Sequence, residues 1–204
     1  MSIRLEQMHP AFVHVPVAFL PVSVGADLIA GMTNNEPLLS FGRQAVCIAA
    51  ASAVASAVTG LIAGEEVNVQ GASMDMLMTH RNLNFLTATV AAGMAIWRTT
   101  HRKPTVAYIA TGMIGTGVLA YTSYLGGKLV YDTGVGVGPA GGVYRLDAPV
   151  LKFGQLGQFL KTGGTDLVHG AQHMAQEVKK GNIAPTIMAG RRLRPGAARQ
   201  VVSG

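Results

Sequence analysis

The sequence predicts an all-α, integral-membrane fold: an up-down-up-down four-helix bundle followed by an extended C-terminal tail containing an amphipathic helix. Three observations carry that prediction. Only 13% of the 204 residues are charged and 49% are hydrophobic, against roughly 25% charged in an average soluble domain. Four stretches, at about 11–32, 41–64, 77–98 and 105–130, are long and apolar enough for a hydrocarbon core about 30 Å thick, which takes about 20 helical residues. The breaks between them are short, TNNEP at 33–37, GEEVNVQGASMD at 64–75 and RTTHRKP at 98–104, so consecutive helices run antiparallel. The alternating segments of about ten residues that build a transmembrane barrel are absent.

The first stretch opens on HPAFVHVPVAF, which sets His9, Pro10, His14 and Pro16 at the mouth of an apolar run. His14, Pro16, Pro21 and Asp27 inside that run, with no small-x-small site at its end, argue against a cleaved signal peptide. The second stretch carries Ser52, Ser56, Gly60 and Gly64 at four-residue intervals. In lipid, close approach of small residues takes over from the hydrophobic drive, so this stripe reads as a helix-contact face. Cys47, the one cysteine, has no disulfide or zinc partner and reads as a buried packing residue. The third stretch repeats the pattern with His80, Asn84, Ala88 and Ala92, and the fourth with Gly112, Thr116 and Ala120. Trp97, Tyr108, Tyr121, Tyr124 and Tyr131 fall towards helix ends, where interfacial rings sit.

Residues 1–131 form the bundle domain, and the character changes after it. Residues 132–150 are glycine-rich and contain a literal GxGxxG at Gly136, Gly138 and Gly141, but a transmembrane helix precedes it and Pro139 lies within it. A dinucleotide site needs a strand before the motif and a helix start after it, so this is a loop. Residues 151–204 form an amphipathic and basic tail. Leu156, Leu160, Leu167, Met174 and Val178 make one apolar stripe, Gly163 and Gly164 are expected to break the helix in two, and Arg191, Arg192, Arg194 and Arg199 end the chain without an acid. Residues 132–204 hold nine Lys or Arg against four acids, and residues 1–131 seven against six. The positive charge therefore belongs to the tail, which is expected to meet anionic lipid or an acidic subunit; without interleaved aromatics it does not read as a nucleic-acid binder.

Orientation rests on Lys and Arg near the helix ends. The far-side loops carry Arg43, Arg98, Arg102 and Lys103, and the N-terminal side Arg4, Arg81, Lys128 and, further off, Arg145, among Glu65, Glu66 and Asp75. That balance puts both termini outside the cytoplasm.

His9, His14 and His80 fall at helix ends on one side of the membrane, because helices one and three run the same way. These are diagonal neighbours in a square bundle, with axes roughly 11–14 Å apart, enough for two imidazoles to approach a metal between them. A haem iron with two axial histidines suits such a space. His14 and His80 are the expected pair, with His9 outside the core beside Pro10 and Asn84 one turn from His80. Interfacial histidines bonded to carbonyls, or quinone or proton handling, account for the same residues. In the tail, HGAQH sets His169 and His173 one helical turn apart. That spacing can hold a metal, but with no third ligand nearby it reads as a solvated face. His101 lies in a basic break facing headgroups.

HPAFVHVPVAFLPVSVGADL, TGLIAGEE, HRNLN and YLGGKLVYDTGVGV, in that order, resemble the DUF2231 family of predicted four-helix bacterial membrane proteins over residues 8–138. His9, Pro10, His14, Pro16, Asp27, His80, Asn84, Gly126, Gly127, Tyr131 and Gly134 match its pattern. The resemblance implies the four-helix topology and a multi-pass setting in the bacterial cytoplasmic membrane, with some relatives joined to Rieske iron-sulfur domains. It implies no activity. The tail here has neither the Cys-His boxes of a Rieske centre nor a CxxCH haem-attachment site.

The expected function is that of a membrane subunit of a larger bacterial respiratory or photosynthetic complex, a haem b electron-transfer subunit ligated by His14 and His80. The alternative is a non-catalytic accessory subunit that docks on other membrane subunits through its bundle and straps onto them with its tail. No Ser/His/Asp arrangement, paired carboxylates or phosphate loop points to an enzyme acting alone.

Overall fold

The computed structural model describes residues 3–67, 69–136, 150–151 and 154–189. Gly138, Gly141 and the arginines at 191, 192, 194 and 199 lie outside the described residues. A two-residue strand β1 (Ile3–Arg4) leads into α1 (Leu5–Thr33), α2 (Glu36–Glu66), α3 (Ala72–Thr100) and α4 (Val106–Tyr131). These are followed by β2 (Val150–Leu151), α5 (Leu156–Lys179) and the short α6 (Pro185–Ala189).

Local chemistry accounts for the helix ends. Two residues connect α1 to α2: Asn34, in the left-handed region at φ 53°, and Asn35, whose side chain accepts from Leu38 N–H at 3.0 Å. That N-cap, with Pro37 in the first turn, is a strong helix start. Thr105 caps α4 by accepting from Tyr108 N–H at 3.2 Å. Short connections force antiparallel neighbours, and α1 packs on α2 and α4 while α3 packs on the same two, leaving α1 and α3 on the diagonal. α1 continues through Pro10, Pro16 and Pro21, as helices in a membrane bundle do when neighbouring groups satisfy the carbonyls that proline frees.

α1, α2 and α4 are long and apolar enough to cross a membrane. α3 matches them in length, 29 residues, but carries Arg81, Asn82, Asn84 and Arg98, which lowers its hydropathy. Two of these, Asn82 and Arg98, are buried within the protein. Leu20, Val24, Val46, Ala49, Ala91, Met94 and Leu119 form the core, while Val22, Ile29, Ile48, Leu86, Ile96 and Ile114 face outward as a lipid-facing belt does.

The small-residue stripes are position-specific. Gly112 sits where an added Cβ would lie 2.5 Å from Val24 Cγ2, and Gly60 meets the His9 ring, but Gly64 has nothing within 4 Å. Ala120 is exposed. Tyr108 is buried, stacked at 5.0 Å on Trp97, which in turn stacks at 4.1 Å on His101.

The tail helix docks on its own bundle. β1 and β2 pair antiparallel, α5 packs on α2 and α6 on α3. α5 is unbroken through Gly163 and Gly164, contrary to the expected break. Its glycines serve contact instead: Gly163 and Gly170 are buried, and a Cβ at Gly170 would lie 2.9 Å from the Leu61 carbonyl oxygen. The helical cost of a glycine, about 1 kcal/mol, is small beside the packing it permits. His173 Nδ1 reaches the Glu65 carboxylate at 3.0 Å. Asn82 donates to the Asn182 and Ile183 carbonyls at 3.1 and 3.0 Å, and Thr186 N–H donates to Thr79 Oγ1 at 3.0 Å. Leu156, Leu160 and Val178 of the apolar stripe stay exposed beside the docked face.

Candidate functional site

A cavity of about 520 Å³ lies between the four helices at the end where α1 begins, and His9, His14, His80 and Asn84 all line it. Two imidazoles face each other there. The rings of His9 on α1 and His80 on α3 have centroids 6.3 Å apart and planes at 88°.

Each ring is held in the same way by the next helix in the chain. His9 Nδ1 lies 3.0 Å from the Ser56 carbonyl oxygen on α2, and His80 Nδ1 lies 2.9 Å from the Thr122 carbonyl oxygen on α4. A carbonyl only accepts, so both rings carry their proton on Nδ1 and a lone pair on Nε2. Four residues beyond each acceptor stands a glycine. A Cβ at Gly60 would lie 2.8 Å from His9 Cε1, and one at Gly126 would lie 3.0 Å from His80 Cε1. The α1–α2 and α3–α4 hairpins thus repeat one device: a histidine, a carbonyl that orients it, and a glycine that leaves room for the ring.

Asn84 supports the second ring. Its Nδ2 donates to the His80 carbonyl at 2.9 Å and its Oδ1 accepts from Thr122 Oγ1 at 2.8 Å. The Nδ2 atom is 3.2 Å from His80 Nε2 and 3.4 Å from Nδ1, so the amide lies across the imidazole face rather than on one lone pair. His9 Nε2 has no hydrogen-bond partner among the described residues.

His14 is placed differently from the sequence expectation. It is exposed, with Nδ1 at 2.6 Å from the Pro10 carbonyl oxygen, and it reaches only the cavity wall. Because α1 already starts at Leu5, His9 sits inside the helix instead of ahead of it. Five residues turn a helix by about 140°, so His9 and His14 cannot both face the diagonal helix. The facing pair is His9 with His80. Among the described residues no group of three or more His, Cys, Asp or Glu could hold a metal ion. His169 is exposed, and His173 is taken up by Glu65.

Sequence reasoning missed a second polar cluster, at the other end of the bundle. Asp27 and Arg98 form an ion pair at 2.7 Å with both side chains fully buried. A Cβ at Gly42 would lie 2.4 Å from Asp27 Oδ1, so glycine is required there. The signal was present: an aspartate in an apolar run and an arginine within the third stretch rather than beyond it. Arg98 is no loop charge, which removes one of the four far-side cations on which orientation was argued.

A family model described as predicted membrane protein (DUF2231) matches residues 6–139. Comparison with curated proteins and with solved structures returned no match.

Proposed function

The chain belongs to the DUF2231 family of predicted membrane proteins, and from that premise we propose that the chamber between its hairpins holds a haem b through His9 and His80, making the protein an electron-transfer subunit of a larger complex in the bacterial cytoplasmic membrane. The observation that carries this reading is the matched pair of imidazoles, 6.3 Å apart, each fixed as the Nδ1–H tautomer by a backbone carbonyl. His9 and His80 would hold the iron through the Nε2 lone pairs that this tautomer leaves.

The donor set favours a metal that brings its own ligands. Two protein nitrogens leave a bare divalent ion short of the four it takes, whereas a haem would ask only two nitrogens of the protein, those of His9 and His80. The walls fit such a group: Ala53, Ala57, Ala88, Gly126 and Gly127 line the cavity without bulk, and its volume is within the roughly 300–1,000 Å³ of small-molecule sites. Haem, when bound, supplies a one-electron couple.

The protein's own groups tune that couple. The Ser56 and Thr122 carbonyls hold the rings in register and raise the basicity of Nε2. Asn84 and Thr122 lock His80 against rotation. The largely apolar wall would set the local dielectric and hence the potential. Cys47, the single cysteine of these 204 residues, cannot by itself hold an iron-sulfur cluster.

The test is the colour of the purified protein. A Soret band is expected, lost in His9→Ala and in His80→Ala and retained in His14→Ala. A colourless preparation that keeps its partner subunits overturns the haem reading and favours the accessory-subunit alternative. The termini are proposed to lie outside the cytoplasm. In a Cys47→Ser background, an impermeant thiol reagent applied to intact cells should then label Gln70→Cys and spare His101→Cys; the reverse pattern inverts the bundle.

A further inference from the structure

We propose that Arg81 binds a carboxylate headgroup, so that the chamber takes an amphiphile with an acidic head and an apolar body. This rests on the reading of the chamber as a ligand site, but not on the ligand being haem. Arg81 follows His80 on α3 and is one of the residues that line the same cavity. Its Nε donates to Asn82 Oδ1 at 3.2 Å. Its Nη2 is buried and has no hydrogen-bond partner among the described residues.

The nearby acids are already engaged. Glu65 and Glu177 are the carboxylates that act on Arg81 electrostatically. Glu65 pairs with His173 at 3.0 Å, and Glu177 accepts from Lys180 and Asn182, both at 2.7 Å. No carboxylate among the described residues lines the cavity, whose wall is otherwise apolar apart from the histidines, Asn84, Tyr131 and four hydroxyl side chains.

A buried guanidinium nitrogen without an acceptor is costly, and a planar carboxylate is the acceptor that matches its fork. A phosphate, with more charge, calls for a cluster of cations that this wall does not offer. The ligand therefore presents one acid to Arg81 while its apolar body lies against the alanines and glycines. The propionate of a tetrapyrrole and the carboxylate of a fatty acyl chain share that chemistry.

The experiment uses the full-length protein in detergent and two probe pairs: hemin with its dimethyl ester, and palmitate with its methyl ester. The wild-type protein should bind at least one acid about tenfold more tightly than its ester, a difference of about 1.4 kcal/mol. Arg81→Gln should remove that preference by weakening the acid and leaving the ester unchanged, and Arg81→Lys should keep part of it. If hemin shows the preference and His80→Ala abolishes hemin binding, the source is a tetrapyrrole. If only palmitate shows it, the haem reading falls and the Arg81 assignment stands. The assignment is overturned if wild-type protein binds acid and ester alike, a comparison that needs no variant, if neither acid binds, or if Arg81→Gln keeps the full preference.

Discussion

Replacing Asp27 or Arg98 should unsettle the bundle more than any change on its surface. The five guanidinium N–H groups of Arg98 meet five acceptors. Nε donates to Asp27 Oδ2 at 3.1 Å and Nη2 to Asp27 Oδ1 at 2.7 Å. Nη2 also reaches the Leu39 carbonyl at 3.1 Å, while Nη1 reaches those of His101 and Arg102 at 2.7 and 2.8 Å. Asp27→Leu, of similar size, removes two of the five acceptors and the counter-charge, leaving a buried cation. Breaking a buried pair from one side costs about 3–5 kcal/mol. For a chain of this length each kcal/mol moves the melting temperature by about 2–4 °C, so a drop of roughly 6–20 °C is expected. Arg98→Met should cost about as much, because it strands the carboxylate. The double replacement removes both charges and should be less destabilised than either single change, since apolar residues often substitute for a buried pair at little cost. Thermal unfolding of the four proteins in one detergent closes the cycle. Single variants within about 1 kcal/mol of wild type, or a double variant as unstable as the two losses added, would refute the claim that the pair acts as one buried unit.

Two further outcomes follow from close approaches at glycine. Gly60→Ala and Gly126→Ala place a methyl group 2.8 and 3.0 Å from an imidazole carbon, and each should displace its ring and weaken ligand binding at the chamber by about tenfold or more, the equivalent of about 1.4 kcal/mol. Gly93→Ala, with open space around it and no place in the chamber's lining, is the control and should bind as wild type in the same titration. Gly170→Ala drives a methyl group against the Leu61 carbonyl. Overpacking of this kind costs about 1–3 kcal/mol, and α5 should become more open to limited proteolysis while the thermal transition of the bundle moves little.

Much of this molecule was legible one residue at a time. Three of the four long helices, α1, α2 and α4, follow from apolar length, and all four are set apart by short polar breaks. The diagonal placement of α1 and α3 follows from short connections, and the shared face of His80 and Asn84 from their four-residue spacing. These are properties of a few neighbouring residues, and no distant contact is needed to read them. The choice between His9 and His14 was different. It depends on where α1 begins and on how far the helix is rotated against Gly60, which the packing of α2 decides. Arg98 looked like a loop charge because charge counting is local, whereas its partner Asp27 is 71 positions away. The tail's apolar stripe showed that α5 wants a surface, but not that a different face, at Gly163 and Gly170, lies on α2 of the same chain while Leu156, Leu160 and Val178 stay exposed. In each case the deciding contact joins residues on different helices, and its energy exists only once those helices have taken up their relative rotation and depth.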